Sequence, residues 1–298
     1  LVGSDRHNCS VHRTWTLTMK KLLSVIPAIL LFASCSEEQD QNLSTPNVIP
    51  KIIARQSCYR ILAIGNSFTE DATRHIPSLL NNNNENDVYF AILTRGGSSL
   101  QNHWDNHLDN KTSYSFKYCF CGEWLSADIK TVNSALDFVD WDIVVLQQVS
   151  DLSGDYSTYQ PYLDNLIQLS KDCNEDPLIA WNMTWAYSSN SSHPAFSRYG
   201  KDRSKMYESI ENAVLTMIND STGIDIVIPT GRLIENLRYS HFNTPNDLTR
   251  DGYHLDKGFP CLMLSYLWHE MLITPNTSVS VFPDSLSAFK DSIILSHQ

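Results

Sequence analysis

The run Asp142-Ile143-Val144-Val145-Leu146 restricts the fold more than any other feature of this chain. Four apolar residues in succession leave no solvent face, so their strand belongs inside a sheet covered on both sides. Apolar runs of similar length stand at 59–64, 88–93, 177–181 and 224–228, and stretches of helical period lie between them. Met206, Ile210, Ala213, Val214, Met217 and Ile218 share one helix face, as do Leu163, Leu166 and Ile167. A further helix is expected over 72–80, broken by Asn81 to Asn84, and a closing helix carries Phe259, Leu262, Leu264, Leu267 and Met271. Strand and helix alternating in this way imply parallel pairing through right-handed crossovers. The expected fold is a single α/β domain, a three-layer α/β/α sandwich with a mainly parallel sheet and no internal repeat. The aromatic segment 114–124, with Cys119 and Cys121, reads as a hairpin or excursion rather than a core strand.

The first fifty residues read differently. Met19-Lys20-Lys21 precedes an apolar stretch at 22–33 and then Ser34-Cys35. Basic start, short apolar region and small residues describe an export signal, too short at about 18 Å of helix to span a bilayer core. Phe32-Ala33-Ser34-Cys35 resembles a bacterial lipobox with Phe in place of the usual Leu, making Cys35 the lipidated first residue of the mature chain. Glu37-Glu38-Gln39-Asp40 resembles a surface-export signal of Gram-negative lipoproteins. The expected organisation is therefore 1–35 as upstream residues plus lipoprotein signal, 36–50 as a polar tether, and 51–298 as the domain. An exported protein, lipid-anchored in the cell envelope, follows; a cleaved signal without lipid is the alternative.

Charge and cysteines narrow the function classes. A formal net charge of −11 over 298 residues argues against a nucleic-acid partner, which needs clustered Lys and Arg. Without Cys9 and Cys35, five cysteines remain: Cys58, Cys119, Cys121, Cys173 and Cys261. An odd number forms no complete disulfide framework, so buried free thiols with one or two disulfides at most are expected. Cys119 and Cys121 lack a second pair at zinc spacing, and no Gly-rich phosphate loop is present, so neither metal nor nucleotide cofactor is expected. His103 and His107 stand at metal-ligand spacing on a helix without a metalloprotease glutamate, and read as surface or polar-face histidines.

Two distant segments carry chemistry. Gly65-Asn66-Ser67-Phe68 follows the first strand, and Asp251-Gly252-Tyr253-His254-Leu255 lies near the end. A serine past the carboxyl end of a parallel strand faces the crevice where ligands bind, with helix N–H groups beside it. Taken alone, Ser67 is equally a helix cap, and Asp-Gly-x-His equally a turn with Gly252 at positive φ. Taken together, they supply a nucleophile, a base and the carboxylate that orients the base: Asp251 reaches Nδ1 of His254 and leaves Nε2 for Ser67.

These blocks, in this order, resemble the SGNH (GDSL-like) hydrolase superfamily, and within it a glutamine-bearing bacterial branch (DUF4886-like), over about residues 60–272. The resemblance implies a flavodoxin-like sheet, with Ser67, His254 and Asp251 as catalytic residues. It makes Thr94-Arg95-Gly96-Gly97-Ser98 the second block, the amides of Ser67 and Gly97 lining an oxyanion hole. The superfamily's Gly-x-Asn-Asp is missing; Leu146-Gln147-Gln148-Val149-Ser150 stands there instead. The branch resemblance gives the hole's side-chain donor to Gln147, with Gln148 as second choice because alternation sends them to opposite faces; both also read as strand-end residues bonding backbone. Asn66, Asn182 and Trp185 are the candidate substrate contacts: the aromatic rings over 181–187 suit stacking on a sugar and Asn182 suits its hydroxyls, while core packing accounts for Trp181 equally well. The implied activity is hydrolysis of acyl esters, O-acetyl on carbohydrate first, with lipase and thioesterase fitting the same residues. The expected partners are an acylated small molecule or glycan and, through the lipid only, a membrane; the expected state is a monomer. A non-catalytic glycan-binding lipoprotein on the same fold is the rival reading.

Overall fold

A computed structural model describes residues 59–220, 223–243, 246–277 and Leu286. The expected signal, Cys35, the tether and Cys58 lie outside the described residues. β1 (Tyr59–Gly65) leads through α1 (Ser67–Ala72) and α2 (Ile76–Asn82) to β2 (Val88–Thr94). α3 (Leu100–Leu108) precedes a hairpin, β3 (Ser115–Phe120) and β4 (Glu123–Ala127), which is followed by α4 (Val132–Leu136) and β5 (Ile143–Leu146). Then come α5 (Tyr162–Cys173), β6 (Leu178–Asn182), α6 (Arg203–Asp220), β7 (Ile226–Ile228), α7 (Thr230–Arg238), α8 (Phe259–Leu272) and α9 (Thr274–Thr277).

The seven strands form one sheet in the order β4-β3-β2-β1-β5-β6-β7. The strands from β2 to β7 in that row are parallel, and the β3–β4 hairpin extends the sheet antiparallel beyond β2. α1, α2, α7 and α8 pack together on one face, and α3, α4 and α5 on the other. All four residues of β5 are buried, as are Ile61 to Gly65 of β1, which matches their unbroken apolar sequence. The chain leaves β1 toward β2 in one direction and leaves β5 toward β6 and β7 in the other. Right-handed crossovers then fall on opposite faces and open a crevice at the carboxyl end of β1.

Several expectations are corrected. The helix expected over 72–80 is two helices, and the first begins at Ser67. Pro77 has no N–H to bond the Thr73 carbonyl, so one continuous helix cannot pass through it; the Ile76 amide bonds that carbonyl instead, at 3.0 Å. Ile218, assigned to the inner face of α6, is 42 % exposed near the helix end. Cys119, Cys121 and Cys261 are free thiols, but of the four described cysteines only Cys261 is fully buried, and Cys121 at the hairpin turn is exposed.

Candidate active site

Ser67 is the first residue of α1, and the cap before it is Asn66, whose Oδ1 accepts the Phe68 N–H at 3.0 Å. With the capping position filled by its neighbour, the Ser67 hydroxyl is left free to face the crevice. The sharp passage from β1 into α1 depends on Gly65: a Cβ there would collide with Thr69 Oγ1 and crowd the Gln147 carboxamide.

The His254 loop is held as tightly. Thr249 and Leu255 pair across it, and the Arg250 N–H bonds the His254 carbonyl at 2.9 Å. Gly252 takes φ +94° at its tip. Asp251 Oδ1 accepts the backbone N–H groups of His254 at 2.8 Å and Tyr253 at 3.2 Å. Its Oδ2 lies 2.6 Å from His254 Nδ1, and His254 Nε2 lies 2.8 Å from Ser67 Oγ. Burial pushes the Asp251 carboxyl up, but hydrogen bonds from the His254 ring and from these amides outweigh it and hold the group below the usual carboxylate range. An ionised carboxylate only accepts, so Nδ1 carries the ring proton. The lone pair of neutral Nε2 is thereby turned toward the serine hydroxyl.

The loop after β2 closes the other side. The Arg95 N–H bonds the Gly65 carbonyl at 3.1 Å, and Asn66 Nδ2 donates to the Ser98 carbonyl at 3.1 Å. Gly96 and Gly97 are exposed at the tip of this loop. The amides of Ser67 and Gly97 donate to no described residue, which leaves two N–H groups available for a ligand oxygen.

Five candidates are placed elsewhere than expected. Gln147 is 1 % exposed beneath the serine loop. Its Nε2 donates to Asn66 Oδ1 at 2.9 Å, and its Oε1 accepts from Thr69 Oγ1 at 2.8 Å and Asn182 Nδ2 at 2.9 Å. The longer stem carries the carboxamide under Gly65 into this network, so it braces the loop from within rather than facing the crevice. Gln148 points to the opposite layer, where Oε1 accepts the Leu100 N–H at 3.0 Å and Nε2 donates to Thr158. Neither glutamine presents its amide as an oxyanion donor. Asn66 and Asn182 spend their side chains in the same network, Asn182 Oδ1 also accepting from Thr230 Oγ1 at 2.8 Å. Trp185 is fully buried, stacked on Phe68 with centroids 4.1 Å apart, and its Nε1 donates to the Tyr253 carbonyl at 2.8 Å. Its ring therefore offers no open face to a sugar.

The sequence reading passed over Asp71 and Arg250. Asp71 lies one helical turn beyond Ser67 and is 3 % exposed. It accepts from Arg250 Nη1 at 2.9 and 3.0 Å and from the Leu255 N–H at 3.0 Å. The available signal was spacing, since a carboxylate four residues after the serine lies on the same side of the helix. Tyr253, half-buried beside His254 with ring centroids 4.3 Å apart, pairs edge to face with the half-buried His193 at 4.8 Å. His103 and His107 are engaged separately, by Tyr114 at 2.9 Å and by Asn133. Among the described residues no group of three His, Cys, Asp or Glu is arranged to hold a metal ion.

Comparison with known proteins places this chain as follows. Residues 60–294 match the family described as a domain of unknown function, DUF4886. A crystal structure of a DUF4886 family protein from Bacteroides uniformis is similar over 81 % of this chain and 96 % of that one, with 30 % identity and a TM-score of 0.70. A structure from Slackia heliotrinireducens presented as an SGNH hydrolase covers 72 % of this chain and 98 % of its own, at 20 % identity and a TM-score of 0.49. An acetyl xylan esterase covers 71 % and 98 %, at 14 % identity and a TM-score of 0.47. No curated protein matches the sequence.

Proposed function

The chain belongs to the DUF4886 family, and we propose that it is a serine hydrolase that cleaves acyl esters through Ser67. One observation carries this reading: Ser67 Oγ, His254 and Asp251 stand in line at 2.8 and 2.6 Å, with the ring tautomer fixed by the carboxylate. His254 Nε2 takes the hydroxyl proton as Ser67 Oγ attacks the ester carbonyl, and Asp251 stabilises the imidazolium that forms. The oxygen of the tetrahedral intermediate takes hydrogen bonds from the Ser67 and Gly97 amides, whose lack of partners among the described residues supports this role. The imidazolium returns its proton to the departing alcohol, leaving an acyl-serine. Water activated by the same His254 then releases the acid and restores the hydroxyl.

The finer assignment is O-acetyl as the acyl group and a carbohydrate as the alcohol. It rests on the resemblance to SGNH hydrolases and on the lipobox that gives the chain an envelope address at Cys35. The working form is a monomer tethered by lipid, its domain meeting acetylated glycan outside the cytoplasm. A purely glycan-binding role accounts poorly for a serine kept free of capping and aimed at a tautomer-fixed histidine.

The test is acetate release from acetylated xylan and acetylated oligosaccharides by the soluble domain and by Ser67→Ala. Release by the parent and its loss in the variant supports the deacetylase. Hydrolysis of only longer-chain or thioester substrates moves the assignment to lipase or thioesterase. Equal release from parent and variant removes Ser67 from the mechanism.

A further inference from the structure

The two halves of the site lie 187 residues apart in sequence, so their separation depends on tertiary contacts, among them those between α1 and the His254 loop. Those contacts converge on one carboxylate. Asp71 Oδ2 accepts the Leu255 N–H at 3.0 Å and Arg250 Nη1 at 2.9 Å, while Oδ1 takes the same nitrogen at 3.0 Å. Arg250 Nη1 also bonds the Leu255 carbonyl. Arg250 and Leu255 bracket Asp251 and His254, so a single group on the nucleophile's own helix grips the base-bearing loop at both ends. Phe68 and Trp185 add an apolar brace, joining the residue after Ser67 to the residue before His254.

Exposure sets Asp71 apart from Asp251. The Asp71 side chain is 5 % exposed, against 39 % for Asp251, so it holds its partners with little competition from water. Its buried charge is met by Arg250 and by a backbone N–H, the arrangement that such a carboxylate requires.

Resting on the esterase reading above, we propose that Asp71 is a positioning residue: with Arg250 it fixes the distance between Ser67 Oγ and His254 Nε2. Asp71 touches neither substrate nor the reacting atoms. A misplacement of about 1 Å between nucleophile and base costs about 10²-fold in rate.

The experiment compares Asp71→Asn, Arg250→Gln and Arg250→Lys with the parent, measuring kcat and KM on p-nitrophenyl acetate well below each melting temperature. Asp71→Asn and Arg250→Gln should each lower kcat by about 10²-fold with KM little changed. Arg250→Lys, which keeps the charge, should recover part of the loss. The double variant Asp71→Asn/Arg250→Gln should be no slower than either single one, because one contact is being removed twice. Unchanged kcat in a folded Asp71→Asn protein, or a loss that appears only in KM, overturns the proposal. A crystal structure of Asp71→Asn provides a readout free of the esterase reading. Separation of Ser67 Oγ and His254 Nε2 beyond hydrogen-bonding distance is expected, and an unaltered 2.8 Å contact refutes the clamp even if no ester proves to be a substrate. Arg250, whose side chain is 30 % exposed, tolerates substitution if Asp71→Asn fails to fold.

Discussion

Two imidazole–carboxylate pairs of nearly equal length lie at opposite ends of the sheet. His254 and Asp251 meet at 2.6 Å on a loop above the carboxyl ends of the strands. His269 on α8 meets Glu85, in the turn leading into β2, at 2.5 Å beside the amino end of that strand. The first pair is partly open, 18 % and 39 % exposed; the second is closed, 0 % and 5 %. The first histidine turns its remaining nitrogen to a serine hydroxyl at 2.8 Å. The second turns its remaining nitrogen to Thr274 Oγ1 at 3.3 Å. Similar side-chain chemistry thus supports the catalytic role proposed for one pair and reads as a fastener in the other. Location, access and the third partner make the difference, not the pair itself.

The largest effect expected is at the open pair. Ser67→Ala should lower ester hydrolysis by about 10⁴-fold or more while the melting temperature stays within about two degrees, since this hydroxyl fills no cap. A variant that loses activity together with stability would make Ser67 a structural residue and erase the contrast. Asp251→Asn comes next. An amide can present N–H to Nδ1 and favour the wrong tautomer, so kcat should fall by about 10²- to 10⁴-fold, with the lower end favoured by the solvent around this carboxylate. Measuring kcat and KM separately checks it; a fall confined to KM would show that Asp251 binds substrate rather than orienting His254.

The closed pair should respond in the opposite sense. Glu85→Ala leaves His269 without its partner in a dry site, and stability should fall by about 3 kcal/mol. Glu85 Oε1 has no partner among the described residues, so the pair is an imperfect fastener, and a well-packed apolar replacement of both residues should cost much less than the single change. Urea denaturation gives the stability, and kcat measured where the variant remains folded should match the parent. A selective loss of kcat would mean that the amino end of the sheet communicates with the site.

What could be read from the sequence divides along the same line. Uniform apolar runs announced β1, β2, β5 and β6, because a strand covered on both faces has no polar positions to confuse its period. The aromatic segment was legible as a hairpin, yet nothing local says that it extends the main sheet antiparallel; that depends on pairing with β2. Ser67, Asp251 and His254 stood out because their chemistry needs particular residue types at particular strand ends. Gln147 misled because alternation gives the face on which a side chain leaves a strand but not where a long carboxamide ends. It ends in a buried network that only the folded approach of Asn66, Thr69 and Asn182 creates. Trp185 misled for a related reason: an aromatic residue after a strand end reads as a wall of the crevice, but its stack on Phe68 makes it foundation. Asp71 and Arg250 were passed over because an aspartate one turn after a serine and an arginine in a polar loop are each commonplace; only the spacing of Asp71 from Ser67 hinted at the contact they make across 179 positions.

A third carboxylate refines the comparison at the smallest scale. Asp247 stands just before the His254 loop, with φ +53° in the left-handed region that a non-glycine residue adopts at a cost. Burial pushes its carboxyl up, but the Ser189 N–H at 2.8 Å, Asn243 Nδ2 at 3.2 Å and Arg203 Nη1 at 3.2 Å outweigh this and hold it down at about 2. A carboxyl depressed in the folded state contributes stability above its unfolded value, and that contribution fades as the pH falls from about 4 toward about 2. Partial solvation limits the contribution to about 1 kcal/mol. Asp247→Asn should therefore be less stable than the parent near neutrality, and the gap should close through that acid window. Urea midpoints for both proteins, taken at intervals from pH 7 to pH 2, measure it. A gap that stays constant with pH would assign the loss to the hydrogen bonds that a carboxylate oxygen accepts and an amide nitrogen cannot, rather than to the charge, and the base of the His254 loop would then be held by hydrogen-bond geometry more than by ionisation.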